Sequence, residues 1–143
     1  MPNNHRTLQC VVVTPERALL DETVDFVALP MYDGELGVLP GRAALIGRLG
    51  PGELRIRHGD QTRRFFVDGG FAQVRGDVVT VLTPRAMKAE EIDAAAATAS
   101  LEASRAAAAT PQAQAAQVKA QRRARAQLRI VARQSGGAPA AGH

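Results

Sequence analysis

Val78-Val79-Thr80-Val81-Leu82-Thr83-Pro84-Arg85-Ala86-Met87-Lys88-Ala89 is where this chain changes character. Its first five residues are β-branched or apolar, which favours a strand. Pro84 then stops that pattern, and an alanine-rich stretch takes over. Alanine has the best intrinsic helix propensity. The division holds across the whole chain. Residues 1–85 contain 5 Ala and ten Gly, and residues 86–143 contain 22 Ala and three Gly. Charge divides at the same place. The first region has ten acidic and ten basic residues, the second four and eight, so the second supplies the whole net charge of +4.

The first region reads as short strands. Leu8-Gln9-Cys10-Val11-Val12-Val13 ends at Thr14-Pro15, and Val24-Asp25-Phe26-Val27-Ala28-Leu29 ends at Pro30. Leu54-Arg55-Ile56-Arg57 alternates apolar and basic, as a strand with one wet face does. Arg64-Phe65-Phe66-Val67 and Val78–Leu82 follow. Asp33-Gly34, Gly50-Pro51-Gly52, His58-Gly59-Asp60, Gly69-Gly70 and Gly76-Asp77 read as the turns between them. Strands at this spacing predict an antiparallel sandwich or barrel, and a β-sandwich over residues 1–85 is the expectation.

The second region reads as an antiparallel two-helix hairpin, residues 86–133, which makes the chain α+β. Ala109-Thr110-Pro111 divides it. Thr caps a helix well, and Pro suits the first helical position. The expected helices run from about Lys88 to Ala108 and from about Pro111 to Arg133. The segment 134–143 is rich in Gly and Ala and is expected to lack order. On the second helix, Lys119, Arg122, Arg125, Arg129 and Arg133 share one stripe at about 100° per residue. Ala113, Ala116, Ala120, Ala124, Leu128 and Val131 fall opposite, and are expected to pack against the first helix with little apolar area. No acid follows Glu102, so this basic face suits an acidic partner, a nucleic-acid backbone or an anionic surface.

Composition narrows the chemistry. There is no Trp, with one Tyr and four Phe, which argues against a base-stacking platform. Cys10 is the one cysteine, so a disulfide framework and a cysteine zinc site are excluded. His5, His58 and His143 form no pair at metal-ligand spacing. Neither glycine pair continues into a phosphate-binding loop. Asp33 and Glu35 have no His or Lys close in sequence and read as a polar turn. The composition points to a soluble protein of a reducing compartment, with no metal and no cofactor.

The stretch Val27-Ala28-Leu29-Pro30-Met31-Tyr32-Asp33-Gly34-Glu35-Leu36-Gly37-Val38-Leu39-Pro40-Gly41-Arg42-Ala43-Ala44-Leu45-Ile46 resembles the epsilon subunit of bacterial rotary ATP synthases. Further matches in register are Val12–Glu16, Leu49–Ile56, Phe66–Val74, Val79–Leu82 and Ala89–Asp93, so the resemblance spans about residues 7–133. It implies a non-catalytic subunit of the central stalk. It also implies partners: the gamma subunit, the ring of c subunits and, when the hairpin extends, the beta subunit, with alpha as a secondary candidate. Contact with the ring falls to Asp33, Gly34, Glu35, Leu36 and Gly37, with Glu35 foremost. The basic stripe of Lys119, Arg122, Arg125, Arg129 and Arg133 is then inhibitory toward ATP hydrolysis. The implied location is the cytoplasmic face of the bacterial cell membrane, reached only through the complex.

Two departures from the family pattern matter. Arg42 and Ala44 stand in Pro40-Gly41-Arg42-Ala43-Ala44 where the family has His and Pro. Ala96 stands in Ile92-Asp93-Ala94-Ala95-Ala96-Ala97 where ATP-binding members have Arg, so weak or absent ATP sensing is expected. The alternative reading, a basic helical hairpin that binds DNA, predicts salt-sensitive affinity but leaves the β-region motifs unexplained. The resemblance implies no nucleic-acid partner.

Overall fold

The computed structural model describes residues 6–106 and 108–141, with side chains described through Gln134. Eight strands form the N-terminal region: β1 (Leu8–Val13), β2 (Ala18–Val24), β3 (Phe26–Met31), β4 (Gly34–Val38), β5 (Leu45–His58), β6 (Gln61–Arg75), β7 (Val78–Leu82) and β8 (Ala86–Lys88). Their order is β2-β1-β7-β6-β5-β3-β4, with β8 on β6. All pairings are antiparallel except β1 with β7. A 3₁₀ turn (Ala89–Glu91) leads to helices α1 (Ala94–Ala103) and α2 (Pro111–Ala141). The sandwich followed by a helical hairpin is the fold class the sequence implied.

Two expected turns lie inside strands. Gly50-Pro51-Gly52 belongs to β5 and Gly69-Gly70 to β6. The ladder passes from Leu49↔Gly70 directly to Pro51↔Asp68, so each strand bends there without ending. Gly69 and Gly70 have φ of 81° and 103°, which L side chains avoid. The bend also reverses which residues face inward. On β6, Phe65 and Val67 are buried before it, and Ala72 and Val74 after it. On β5, Leu49 is buried before it, and Leu54 and Ile56 after it. A side-chain period of two allows this phase change only where an irregularity intervenes. Each long strand thereby serves both layers of the sandwich.

The core gathers alternate residues of every long strand. Leu8, Cys10 and Val12 of β1 meet Val27 and Leu29 of β3, and Val79 and Val81 of β7, in one buried cluster. Cys10 has no exposed surface. Burial, helped by the charges of Glu22 and Asp21, pushes its thiol from an ordinary 9.0 up to about 12. A raised thiol pKa favours folding below about pH 9 and loses that contribution as pH rises toward 12. Iodoacetamide at pH 8 should therefore leave Cys10 unmodified in the folded chain and label it fully in urea. Rapid labelling of the folded chain would contradict this placement.

The helical region departs from its expected bounds at both ends. Ala86–Lys88 pairs with β6 as β8, so the sheet runs past Arg85. The first helix begins only at Ala94, because Asp93 caps it: the Ala96 N–H donates to Asp93 Oδ1 at 3.0 Å. Glu90 and Glu91 consequently lie in the 3₁₀ turn, ahead of α1. The break at Ala109-Thr110-Pro111 falls where expected. Thr110 Oγ1 accepts from the Ala113 N–H at 3.0 Å, and Pro111 opens α2. That helix runs through Ala141 and so passes Arg133. Of the segment 134–143, expected to lack order, residues 142 and 143 lie outside the described residues.

Candidate functional site: the β3–β4 hairpin and the face under helix α2

The sheet has two outer surfaces of different chemistry. Where β5 and β6 pass β3 and β8, the residues turned away from the core are Glu53, Arg55, Arg64, Phe66 and Asp68. Their partners in the ladder are Glu53↔Phe66 and Arg55↔Arg64. Helix α2 covers this surface. Ala126 and Ile130 pack with Phe66 and Ala89 in a second buried cluster, flanked by Met87 and Ile92. Ionic contacts tie the edges. Arg123 Nε reaches Asp68 Oδ2 at 2.9 Å, and Arg133 Nη1 reaches Glu53 Oε1 at 2.6 Å.

Glu53 is the one acid among the buried residues described. Its Oε2 lies 3.0 Å from Arg64 Nε, and its Oε1 lies 3.3 Å from Arg55 Nη1. Three guanidinium groups therefore surround one buried carboxylate: Arg55 and Arg133 donate to Oε1, while the Arg64 contact to Oε2 is ionic without hydrogen-bond geometry.

The packing face of α2 is only partly the one expected. Ala124 is buried, and Ala120, Leu128 and Val131 are half-buried. Ala113 and Ala116 are exposed, since the first turns of α2 reach beyond their partners. Ala126 and Ile130, which dock the helix on the sheet, lie off the apolar stripe the sequence suggested. A helix wedged between α1 and the sheet buries two faces, and periodicity drawn for one face misses the second.

The basic stripe is split by the same geometry. Arg133 is engaged by Glu53. Arg122, Arg125 and Arg129 line a cleft of about 380 Å³ with Met31, Tyr32, Gly50 and Pro51. That lining contains no acid. Lys119, with Arg122 and Arg123, lines the adjoining cleft near Tyr32, Arg48 and Asp68. The stripe thus flanks the sandwich while its five side chains stay exposed. Arg123 was not among the sequence candidates, because its partner Asp68 is 55 residues away.

The stretch Asp33–Gly37 is a strand hairpin and not an open loop. Met31 pairs with Gly34 around a two-residue turn, Tyr32-Asp33. Gly34 takes φ of 139° there, which explains a glycine at that place. Asp33 is at the tip, whereas Glu35 sits on β4 opposite Pro30. The Glu35 side chain is 53% exposed, and its Oε2 accepts from Arg55 Nη1 at 3.1 Å. Leu36 leans on the core, and the Gly37 backbone runs beside the Phe26 ring. The hairpin therefore presents Asp33, Gly34 and Glu35, while Leu36 and Gly37 anchor it.

The other outer surface is apolar. Ile46, Phe71 and Leu82 are 73%, 54% and 53% exposed. Phe71 pairs with Leu82 across β6 and β7, and Ile46 lies on the adjoining strand opposite Gln73. Arg48 beside them stacks on the Tyr32 ring, 4.5 Å from its centroid. Composition did not single out this strip. Its signal was there: alternation on β6 and β7 in which both faces carry apolar residues.

Among the described residues, no group of His, Cys, Asp and Glu could hold a metal ion. Among the same residues, no helix is long and apolar enough to cross a membrane.

Comparison with known proteins places these surfaces in a class. Residues 7–89 match the family model for the ATP synthase delta/epsilon chain β-sandwich domain. An ATP synthase epsilon chain from Rhodopirellula baltica is 56% identical over 126 residues, 86% of this chain and 97% of the relative. One from Solibacter usitatus is 49% identical over 96 residues, 67% and 72% of the two chains. The solved Euglena gracilis mitochondrial ATP synthase, described as its OSCP/F1/c-ring part, contains a chain with TM-score 0.70 and 27% identity. That match covers 96% of this chain and 82% of that one. A central stalk and c-ring structure from Tetrahymena thermophila shares the fold, with TM-score 0.65 at 14% identity over 90% and 99% of the chains. The fold and its matches thus define a sandwich-and-hairpin chain of the ATP synthase delta/epsilon class. Within that class, the chain belongs to the ATP synthase epsilon chain family.

Proposed function

We propose that this chain is a non-catalytic central-stalk subunit that joins the gamma subunit to the c ring, so that ion-driven rotation reaches the catalytic subunits. The observation that carries the reading is the apolar strip of Ile46, Phe71 and Leu82. Large apolar side chains on an exposed strand face mark a protein-binding surface, and the most exposed of these is 73% open. We assign the strip to gamma. The polar β3–β4 hairpin, with Asp33 at its tip and Glu35 beside it, is assigned to the ring. The chain reaches the cytoplasmic side of the cell membrane only through these partners. The relatives and the Euglena structure, whose description includes F1 and the c-ring, support membership of such an assembly.

The hairpin is the regulatory part of this reading. Docked, α2 holds Arg122, Arg125 and Arg129 against the sandwich. Released, it offers a cationic helix to acidic segments of beta and alpha, and Coulomb attraction favours the state that blocks hydrolysis. Ala96 removes the phosphate-facing Arg of ATP-binding relatives, so control by ATP binding is not part of the proposal.

Cross-linking tests the assignments. Cysteines at positions 33 and 35 should each form a disulfide with a cysteine in the polar loop of subunit c. A cysteine at position 71 should cross-link to gamma and not to c. Absence of ring cross-links from 33 and 35 in an assembled complex, with the position 71 link present, would remove the ring assignment alone.

A further inference from the structure

We propose that Glu53 is a shared anion that sets engagement of the β3–β4 hairpin against docking of α2. The inference deepens the regulatory reading above and rests on it for its biological consequence.

The geometry is a short relay. Arg55 Nη1 lies between two carboxylates, 3.1 Å from Glu35 Oε2 and 3.3 Å from Glu53 Oε1. The same Glu53 Oε1 takes Arg133 Nη1 at 2.6 Å. Arg55 and Arg133 therefore share one oxygen atom, while Arg64 Nε lies 3.0 Å from the other. Glu35, Glu53 and Arg133 also line one cleft of about 190 Å³ between the hairpin and α2. The other cation facing that cleft is Arg129. The Glu53 side chain is only 6% exposed, so its oxygens are shielded from water, whereas Arg133 at 54% is partly screened and Glu35 at 53% is open to a partner.

The sign follows from the charges. While Glu35 is free, it draws part of the Arg55 charge away from Glu53, and Arg133 keeps its short contact. A cationic side chain that captures Glu35 releases Arg55. Arg55 then has Glu53 alone, binds it more tightly, and repels Arg133 across the shared oxygen. Engagement of Glu35 by a Lys or Arg of a partner thus loosens the end of α2. The reverse also holds: a docked α2 weakens the hold of such a partner on Glu35, since coupling between two binding events is reciprocal. The Arg123–Asp68 pair lies outside the relay and holds α2 without reference to Glu35.

The test uses the full chain with spin labels on cysteines at positions 61 and 118, both exposed. Cys10 is buried and does not compete for label. The distance distribution gives the ratio of undocked to docked hairpin. Glu35→Gln, which mimics capture of that charge, should raise the ratio about fivefold, the lower end of typical coupling. Glu53→Gln and Arg133→Gln should each raise it more than about tenfold, and in either background Glu35→Gln should add nothing. In an Arg55→Gln background, Glu35→Gln should also have no effect. Arg123→Gln should raise the ratio while leaving the fivefold response to Glu35→Gln intact. An unchanged ratio in Arg133→Gln, or a Glu35→Gln response that persists with Arg55→Gln, overturns the proposal. Arg133 is on an exposed helix face, so its variants keep the test valid should Glu53→Gln fail to fold. ATPase assays of the assembled complex separate the two readings. A relay that operates in the free chain, with hydrolysis unaffected by Glu35→Gln, would sink the regulatory reading and leave the relay standing.

Discussion

Alanine at positions 122, 125 and 129 together is expected to raise the ATPase activity of the assembled complex at least about fivefold. The three arginines line one cleft that contains no acid, and Arg129 alone also borders the cleft of Glu35 and Glu53. Three like charges held together repel one another, so the docked state gains stability when they are removed. The extended state loses instead, because its cationic face is what attracts acidic segments of its partners. Both effects shift the hairpin toward docking. A shift of ~1–3 kcal/mol, the usual size of allosteric coupling, spans roughly fivefold to 150-fold in the equilibrium. The helix should persist, since Ala favours helix more than Arg does. Circular dichroism checks that point, and the increase should shrink at high salt, where screening already weakens the attraction. Unchanged hydrolysis in the triple variant would contradict the inhibitory role of the stripe.

Gly70→Ala is expected to destabilise the sandwich by about 3–5 kcal/mol, near the upper end for a single substitution. Two costs combine. Gly70 has φ of 103°, where an L side chain is strained whatever the space around it. An added methyl group would also press on the Leu82 carbonyl oxygen and lie 2.8 Å from Thr83 Cα. Both obstacles are backbone, so no side chain can rotate away. The bend of β6 at this point lets its halves serve different layers, and a shift there misplaces Phe65 and Val67 against Ala72 and Val74. Gly59→Ala is the comparison. Gly59 has φ of 61° with nothing within 4 Å, so only conformational strain, ~1–2 kcal/mol, should appear. Urea unfolding of both variants gives the two values, and equal midpoints would refute the steric argument.

Much of this architecture was legible in local sequence. Leu8–Val13 and Val78–Leu82 read as strands with the bounds they have. Thr110-Pro111 marked the start of α2, because a capping hydroxyl and a pre-set φ act within one turn. The glycines of β5 and β6 misled for a physical reason. A glycine serves a turn and a bend inside a strand equally, and only the partner strand decides which. Ala86–Lys88 fell at the start of the region read as the helical hairpin because alanine enrichment begins there, but it pairs with β6 as a strand.

The candidate site divides along the same line. Asp33–Gly37 read by itself as a polar turn and stood out only through its resemblance to a family loop pattern, and the structure makes it a hairpin. Its chemistry was not visible in that pattern, since Arg55, which holds Glu35, is 20 residues away. The basic stripe of α2 was legible from helical spacing alone. That Arg133 belongs to a buried carboxylate while Arg122, Arg125 and Arg129 line a cleft without an acid was not legible, because Glu53 precedes Arg133 by 80 residues.

By itself, then, the sequence determined the sandwich, the helical hairpin, the cap that starts α2 and the family to which the chain belongs. These rest on interactions within a few residues, or on short patterns in fixed order. The tertiary structure alone decided that Gly50 and Gly69-Gly70 bend strands and do not end them. It alone placed Ala126 and Ile130 over Phe66 and drew Glu35, Arg55, Glu53 and Arg133 into one relay. Those contacts exist because two long strands and a distant helix meet on one face, and no local propensity records which distant surfaces will meet.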